Sequence, residues 1–382
     1  MYNCLFEAII EVKTLGVQLT SIKIVFNEEM QQENISLDTY EFSIYSENTN
    51  NIWHKIPIVG LKWTDKQTLY LNLIEDIDFI PLKLLKLIRK SPNVFTQKYC
   101  NLSYKLKQNK NLYTKSGKIY DTTTTYNFSK EQKLGIDDFT QDIFKDIHYS
   151  LYTPQIKADK HSLIVWLHGA GEGGINASNI MADRGAVTYL NQDTQYLFQG
   201  AYVLAPQCPT YWLKKFKMED DIWVEGARDY THDLTDLIQE IKQKYTDIDE
   251  QRIYLVGASM GGYQVLRLLA DNPTQYAGAI VSCPAQIPED SDLAIIKNHR
   301  IPLWLLHCTK DKIVDKHHTE YIFNYLNDSL DNQDTLKVTY YPKIEVQGKE
   351  IESHCVFIYM YDNLPEDNGI RLFNWLSKQK RG

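Results

Sequence analysis

A serine flanked by two glycines follows an apolar segment in the C-terminal half of the chain. Residues 252–263 read Arg-Ile-Tyr-Leu-Val-Gly-Ala-Ser-Met-Gly-Gly-Tyr, a strand-like run that leads into Gly-x-Ser-x-Gly and then into a helical pattern. A serine Oγ can attack a carbonyl only where it stands clear of the backbone, which requires a sharp turn between strand and helix. Such a turn leaves no room for side chains on either flank, which explains Gly257 and Gly261. The segment predicts a nucleophile elbow with Ser259 at its tip, and a plain helix N-cap is the alternative for this serine.

A glycine-rich loop follows an apolar run further upstream. Residues 162–167 predict a buried strand, and the next seven residues read His-Gly-Ala-Gly-Glu-Gly-Gly. A turn of this kind lets the backbone N–H of Ala170 point into a cleft, where it would form an oxyanion hole together with the N–H of Met260. Glu172 is expected to fix the loop by accepting hydrogen bonds from backbone N–H groups, with a direct role in substrate binding as the alternative. His168 is expected to order the loop rather than to carry a proton.

An acid and a base follow the candidate nucleophile in the chain. Asp311 comes in the turn after the apolar run 301–307, and His354 lies beyond the last predicted strand. Three chain orders are known for a Ser-His-Asp triad, and the order Ser259, Asp311, His354 matches only that of the α/β hydrolases. Asp315 is the rival acid, but the turn directly after the strand favours Asp311. The predicted triad is therefore Ser259, His354 and Asp311.

The other histidines fit the role of base less well. His307 points from a predicted strand and is expected to be packed or hydrogen-bonded. His317 and His318 follow the candidate acid too closely to fold back onto it, and His232 and His299 lie on predicted helical or loop surfaces.

Two tryptophans bracket an insertion at residues 210–225 that is rich in charged side chains. Insertions at this point of the fold lie beside the active-site mouth, so Trp212 and Trp223 are candidate substrate-binding residues. A plain packing role is the alternative for both. The chain has no His-x-His or HExxH spacing, and a serine triad requires no metal, so neither a metal nor a cofactor is expected.

From residue 138 onward, predicted strands and helices alternate, which is typical of a mostly parallel sheet covered on both faces. The catalytic candidates then lie at the carboxyl ends of strands, where open α/β sheets bind their ligands. The predicted strands are 147–152, 163–167, 201–205, 253–256, 278–283, 303–307 and 337–341, and the predicted helices are 229–244, 263–270 and 370–376.

The N-terminal part consists of short β-branched and aromatic segments separated by turn residues. Alternation of apolar and polar residues over 21–26 and 40–45 is typical of half-buried strands, and the spacing suits a sandwich. Residues 81–89 fit either a short helix or an irregular strand. The charged stretch 129–135 marks the predicted boundary between a domain of residues 1–135 and one of residues 136–382. The remaining predicted strands are 8–13, 56–63, 68–73, 99–107 and 117–128.

Two of these motifs carry a resemblance to a known group of enzymes. Leu-His-Gly-Ala-Gly-Glu at 167–172 and Ala-Pro-Gln-Cys-Pro at 205–209 resemble the bacterial serine esterases related to phospholipase/carboxylesterases and polyhydroxybutyrate depolymerases. The resemblance spans about residues 138–380. It implies an α/β-hydrolase domain that cleaves carboxylic esters through an acyl-enzyme, and some relatives carry an immunoglobulin-like domain in front of it, as residues 1–135 would be. A peptidase of the prolyl-oligopeptidase type and a catalytically idle binding or adhesion protein are the alternatives.

Composition narrows the partners and the compartment. A net charge of −8 disfavours nucleic-acid binding, which needs clustered Lys and Arg. No apolar run approaches the roughly 18–20 residues of a membrane span. The expected substrate is a small or polymer-linked ester, and a homo-oligomer is left open. The first residues have no basic region, so we expect a cytoplasmic protein, or a secreted one if a signal was trimmed. The six scattered cysteines are expected to be reduced and mostly buried.

Overall fold

The computed structural model describes residues 3–14, 16–47, 52–75, 82–91, 94–213, 215–217, 223–225, 228–327 and 334–381. The chain forms two compact units. The first comprises Met1–Lys86, Lys98–Asp138 and Met181–Asp183, and the second comprises Leu87–Gln97, Phe139–Ile180 and Arg184–Gly382. The short segment Leu87–Gln97 thus belongs to the second unit although it interrupts the first in sequence.

The first unit is all-β. Its strands form a five-stranded sheet in the order β12-β1-β2-β6-β5, a three-stranded sheet in the order β4-β3-β9 and the small ribbon β10-β11. The strands are β1 (Asn3–Lys13), β2 (Gly16–Val25), β3 (Tyr40–Ser46), β4 (Trp53–Ile56), β5 (Ile58–Trp63), β6 (Thr68–Leu73), β9 (Leu102–Gln108), β10 (Leu112–Tyr113), β11 (Ile119–Tyr120) and β12 (Thr125–Leu134), and a further pair, β7 (Leu85–Ser91) and β8 (Val94–Tyr99), spans both units.

The two larger sheets of this unit pack against each other. Tyr40 of the three-stranded sheet meets Tyr126 of the five-stranded sheet edge to face, with ring centroids 5.6 Å apart. Burial alternates residue by residue along β3, as the period-two pattern predicted. The N-terminal part is therefore the all-β layered unit that the sequence indicated.

Two details of this region differ from the sequence interpretation. The polar stretch 129–135 is not a linker, because all but its last residue continues strand β12, which pairs in parallel with β1. The strand lies at the edge of its sheet, where charged side chains reach solvent, so a charged sequence does not mark a loop there. Residues 81–89, left open between helix and strand, contain the start of strand β7, which pairs with β8.

The second unit is built on one eight-stranded sheet in the order β13-β14-β16-β15-β19-β20-β21-β22. Its strands are β13 (Phe139–Phe144), β14 (Ile147–Tyr152), β15 (His161–Leu167), β16 (Ala201–Gln207), β19 (Ile248–Ala258), β20 (Gly278–Ser282), β21 (Leu303–Cys308) and β22 (Leu336–Tyr341), with the short ribbons β17 (Lys215–Lys217) and β18 (Trp223–Glu225), β23 (Glu345–Val346) and β24 (Lys349–Glu350), and β25 (Glu366–Asp367) and β26 (Ile370–Arg371). Within the eight-stranded sheet, β13 pairs antiparallel with β14 and β14 with β16, and every pair from β16 to β22 in the sheet order is parallel.

Helices follow most of the parallel strands. The helices are α1 (Asn179–Ala182), α2 (Gln192–Leu197), α3 (Thr231–Lys244), α4 (Met260–Asp271), α5 (Asp290–Asn298), α6 (His317–Leu326), α7 (Phe357–Tyr361) and α8 (Leu372–Leu376). Helix α8 starts two residues later than predicted, because Ile370 and Arg371 form a strand. No helix among the described residues combines the length and apolarity needed to cross a membrane.

The buried core of this unit includes its central strands and one face of helix α3. Every residue of β15 and β16 is buried, as expected for strands covered on both faces. Helix α3 buries Leu234, Leu237 and Ile238 on its predicted apolar stripe. Since β15, β19, β20, β21 and β22 are consecutive parallel neighbours, the segments after their carboxyl ends meet at one edge of the sheet.

Candidate active site

Ser259 lies at a strained turn between β19 and α4. Its φ of +55° is a conformation that non-glycine residues rarely adopt. The flanking glycines make the turn sterically feasible. A Cβ on Gly261 would lie 2.0 Å from the carbonyl O of Leu167, and a Cβ on Gly257 would lie 2.5 Å from the carbonyl carbon of Gly261. The serine is half-buried, and its backbone N–H donates to the carbonyl O of Ser282 at 2.8 Å.

The structure brings Ser259, His354 and Asp311 together. The Nε2 atom of His354 lies 3.0 Å from Ser259 Oγ, and Nδ1 lies 2.8 Å from Asp311 Oδ2. A carboxylate can only accept, so Nδ1 carries the proton and donates to Asp311. Nε2 is then free to accept the hydroxyl proton of Ser259. This is the arrangement in which an imidazole acts as a general base toward a serine.

The Asp311 carboxylate is completely buried and fully satisfied. Its Oδ1 accepts the backbone N–H groups of Ile313 and Val314 at 2.9 and 3.0 Å, while Oδ2 accepts from His354. Burial by itself raises the pKa of this carboxyl group. Hydrogen bonds from His307 and His354 act in the opposite direction, and the net effect holds the pKa well below its ordinary value. Asp311 is therefore a carboxylate at any pH at which the protein works.

His307 is a neighbour of the acid that sequence reasoning did not place in the site. Its imidazole is completely buried, with Nε2 3.0 Å from the carbonyl O of Val314 and 3.4 Å from Asp311 Oδ2. Because a carbonyl accepts, Nε2 carries a proton, and Nδ1 pairs with the hydroxyl of Thr319 at 2.7 Å. His307 supports the turn that carries Asp311. The prediction that it is packed or hydrogen-bonded agrees with this geometry, but nothing in an apolar strand signals contact with the acid.

Hydrogen bonds from Ser353 and Cys283 fix the backbone around His354. The preceding residue, Ser353, donates from its hydroxyl to the carbonyl O of Lys310 at 2.7 Å, which ties the histidine loop to the acid turn. Burial lowers the pKa of His354, while Cys283 and then Asp311 raise it, and the net direction is upward. The Cys283 thiol donates to the backbone carbonyl of His354 at 3.6 Å.

The two predicted oxyanion donors occupy equivalent backbone positions. Ala170 is the first residue of a 3-10 turn, Ala170–Glu172, and Met260 is the first residue of α4. N–H groups at the first position of a helical turn have no acceptor inside the helix, so both are available to an anion. A Cβ built on Gly169 would lie 4.0 Å from Ser259 Cβ, which shows how closely the loop approaches the nucleophile.

His168 and Glu172 fix the peptide that carries the Ala170 N–H. His168 Nδ1 donates to the carbonyl O of Gly169 at 2.7 Å, and Glu172 Oε2 accepts the N–H of Gly169 at 2.6 Å. The carbonyl of Gly169 and the N–H of Ala170 belong to one planar peptide, so holding one aims the other. His168 Nε2 accepts the N–H of Cys208 at 3.0 Å, and burial lowers the pKa of His168 to about 4. The ring is thus neutral, which fits its predicted role in ordering the loop.

The three predicted substrate-binding residues have different surroundings. Trp212 is 1% exposed and packs on His168 and Tyr230, so its side chain belongs to the core, which corrects its assignment to substrate binding. Glu172 has the loop-fixing contact described above. Trp223 lies on β18, but its side chain falls outside the described residues.

The rival acid and the cysteines also have defined places. Asp315 is exposed and accepts the N–H of His317 at the start of α6. All six cysteines are described as thiols rather than disulfides, and five of them are buried. Among the described residues, Cys283, Asp311 and His354 form one group with ligand atoms within 4.8 Å of one another. Two of the three already bond to each other as acid and base, which leaves the group poorly suited to a metal ion.

Comparison with known proteins places the chain in a family. The phospholipase/carboxylesterase family matches residues 153–360, more than half of the chain and a segment that contains Ser259, Asp311 and His354. The chain belongs to the phospholipase/carboxylesterase family. It is an α/β hydrolase that acts on carboxylic esters, as the motif resemblance implied. No curated protein sequence matches the chain significantly.

One solved structure shares the fold of the chain. The crystal structure of a thermostable esterase aligns with a TM-score of 0.80 at 24% identity, covering 98% of this chain and 99% of that one. An S-formylglutathione hydrolase from Agrobacterium tumefaciens covers 64% of this chain and 95% of its own at 13% identity, with a TM-score of 0.43. An acetyl xylan esterase from Aspergillus awamori covers 47% and 75% at 15% identity, with a TM-score of 0.35. The first match shows a shared fold over the whole chain, and the other two are too distant to support an inference.

Proposed function

We propose that this family member cleaves carboxylic esters with Ser259 as nucleophile, His354 as general base and acid, and Asp311 as the residue that orients His354. The observation that carries the proposal is the unbroken hydrogen-bonded series Ser259 Oγ, His354 Nε2, His354 Nδ1 and Asp311 Oδ2, with separations of 3.0 and 2.8 Å. Three side chains from segments far apart in sequence meet in the one order that moves a proton away from a serine hydroxyl.

The steps follow from this order. Ser259 Oγ attacks the ester carbonyl carbon while its proton passes to His354 Nε2, and the carbonyl oxygen becomes an oxyanion bound by the N–H groups of Ala170 and Met260. Collapse of the tetrahedral species breaks the bond to the alkoxy oxygen, which leaves as an alcohol with the proton from His354. A water then gives its proton to His354 and attacks the acyl-enzyme, and release of the acid restores Ser259. Asp311 stays ionised throughout and stabilises the imidazolium.

The substrate is proposed to be a small or polymer-linked ester rather than a peptide. Family membership favours esters. A prolyl-oligopeptidase-type peptidase would pair the same triad with a propeller of repeated four-stranded blades. In the described part of the first unit, the larger sheets have five and three strands and no blade repeats.

The test combines a substrate panel with covalent labelling. We expect hydrolysis of a p-nitrophenyl ester series of increasing acyl length and no hydrolysis of p-nitroanilide peptides. A fluorophosphonate should label the peptide that contains Ser259, and Ser259→Ala should lose both labelling and activity while keeping its fold, since only a hydroxyl is removed. Labelling that persists in Ser259→Ala would contradict the assignment of the nucleophile.

A further inference from the structure

The loop of residues 168–174, which carries the Ala170 N–H and is here called the oxyanion loop, has hydrogen-bond partners far away in sequence. The segment Leu87–Gln97, here called the arm, belongs to the same compact unit as the loop. The Thr96 hydroxyl donates to the carbonyl O of Gly173 at 2.7 Å, and Gln97 Nε2 donates to the carbonyl O of Gly171 at 3.4 Å. Asn176, just beyond the loop, donates from Nδ2 to the carbonyl O of Gln97 at 2.8 Å.

Thr96 is buried at this contact, with 3% of its surface exposed. A hydroxyl removed from water is a stronger positional constraint than an exposed one, since its loss leaves a buried carbonyl unpaired. Gly174 makes the approach feasible. It adopts a φ of +141°, and a Cβ there would lie 2.7 Å from Thr96 Oγ1. The loop is thus shaped to receive the arm.

The carbonyls of the loop divide between two sets of partners. His168 holds the carbonyl of Gly169, and Gln207 Nε2 holds that of Glu172 at 2.9 Å. The arm holds those of Gly171 and Gly173. Ala170, whose N–H is assigned to the oxyanion hole, therefore sits in a loop whose two sides are fixed by different parts of the chain.

We propose that Thr96, assisted by Gln97, is a positioning residue for the oxyanion hole, and this inference rests on the function proposed above for the Ala170 N–H. Oxyanion donors stabilise the transition state more than the bound ester, so a displaced loop lowers kcat and leaves KM nearly unchanged. Loss of the contacts from the arm should therefore affect the rate of the reaction and not the binding of the ester.

The experiment uses the full-length protein with three variants. Thr96→Val removes the hydroxyl at constant shape, Thr96→Ser retains it, and Ser162→Ala is the matched control. Ser162 has a fully buried hydroxyl that donates to the carbonyl O of Phe198 at 3.1 Å, at the opposite end of β15 from the loop. Each variant is assayed with p-nitrophenyl butyrate and with a trifluoromethyl ketone, whose adduct with serine carries an oxyanion.

We expect Thr96→Val to lower kcat on the order of tenfold with KM within about twofold, and to raise Ki for the ketone by a similar factor. Thr96→Ser should restore both constants. Ser162→Ala should keep both constants while losing about as much thermal stability as Thr96→Val. Unchanged kcat and Ki in Thr96→Val, or equal losses in Ser162→Ala, would overturn the inference.

Two further measurements keep the outcomes separate. If Thr96→Val does not fold, Gln97→Ala decides, because loss of its longer bond should change kcat and Ki in the same direction by a smaller factor, and no change would refute the role of the arm. Ser259→Ala is run in parallel. Activity retained there would overturn the proposed function, whereas loss of activity there with an unaffected Thr96→Val would overturn only the arm.

Discussion

His307 Nε2 lies 3.4 Å from Asp311 Oδ2, so the proposed catalytic acid contacts a second, completely buried imidazole. The same nitrogen donates to Val314 O, and the ring also pairs with Thr319. The acid turn is thus fixed by a side chain from the strand before it. Orientation of Asp311 depends on His307 as well as on the backbone N–H groups that it accepts.

Replacing His307 should therefore affect stability and catalysis together. His307→Leu leaves Val314 O without its donor and Thr319 without its ring partner, so we expect a loss of about 1–3 kcal/mol in the free energy of unfolding. We also expect a fall in kcat smaller than that of Asp311→Asn. Urea unfolding and ester kinetics measure the two effects. His299→Leu is the control, because His299 is exposed at the end of α5, and it should change neither quantity appreciably.

A second prediction compares the two candidate acids. Asp311→Asn keeps the shape of the side chain but favours the wrong tautomer of His354, so kcat should fall by about 10⁴. Asp315→Asn should change kcat little, because Asp315 is exposed and caps the start of α6. The reverse ranking in steady-state assays would mean that the acid is misassigned.

The pH profile gives a third prediction. The proposed mechanism needs a neutral His354, and the pKa of this residue is raised above its ordinary value of 6.5, against the effect of burial, by Cys283 and Asp311. Activity should therefore be lost as the pH falls through that pKa, with the acid limb of kcat/KM centred above 6.5. Removing the negative charge in Asp311→Asn should move the limb to lower pH.

Cys283→Ala separates the two contributions to the pKa of His354. Cys283 Sγ contacts the backbone carbonyl of His354 at 3.6 Å, whereas Asp311 bonds to the imidazole itself at 2.8 Å, so the limb should move to lower pH in Cys283→Ala but less than in Asp311→Asn. Profiles measured with the same ester across both variants decide this. A larger shift in Cys283→Ala would make the sulfur the dominant influence.

The elbow glycines provide a fourth prediction. A Cβ on Gly261 would lie 2.0 Å from Leu167 O, a backbone atom that cannot rotate away. Gly261→Ala should therefore destabilise the fold by about 1–3 kcal/mol or more and abolish ester hydrolysis. Gly171→Ala is the control for stability alone, since no atom lies within 4 Å of a Cβ there. Equal midpoints of thermal unfolding in the two variants would contradict the steric argument.

The parts of the site that sequence predicted are those where chemistry restricts the backbone. Gly257 and Gly261 indicate a turn that only glycine permits. Asp311 and His354 follow strands that an apolar pattern identifies. In the same way, the alternation of strands and helices after residue 138 predicted a mostly parallel sheet, because the apolar patterns of buried strands and amphipathic helices differ in period.

What sequence did not predict depends on packing between distant segments. Sequence leaves Trp212, within a charged insertion, open between substrate binding and packing, and its ring is buried against His168 and Tyr230. His307 sits in an apolar strand, so its contact with the acid leaves no local signal. Thr96 reaches Gly173 across 77 residues, a pairing that no periodicity encodes.

The fifth prediction concerns removal of residues 1–135. This part of the chain contributes no triad member, but it contains Thr96 and Gln97, which bond to the oxyanion loop. Deletion should therefore lower the stability of the remaining hydrolase and reduce kcat even on small soluble esters, by at least as much as Thr96→Val in the full-length protein. Thermal unfolding and p-nitrophenyl butyrate kinetics of the truncated protein measure both effects.

A carbohydrate-binding module would behave differently, because its removal leaves the catalytic loop intact. A truncated enzyme with unchanged stability and small-ester kinetics, and with only its binding to insoluble polysaccharide lost, would support such a module and exclude a role for this region in shaping the site.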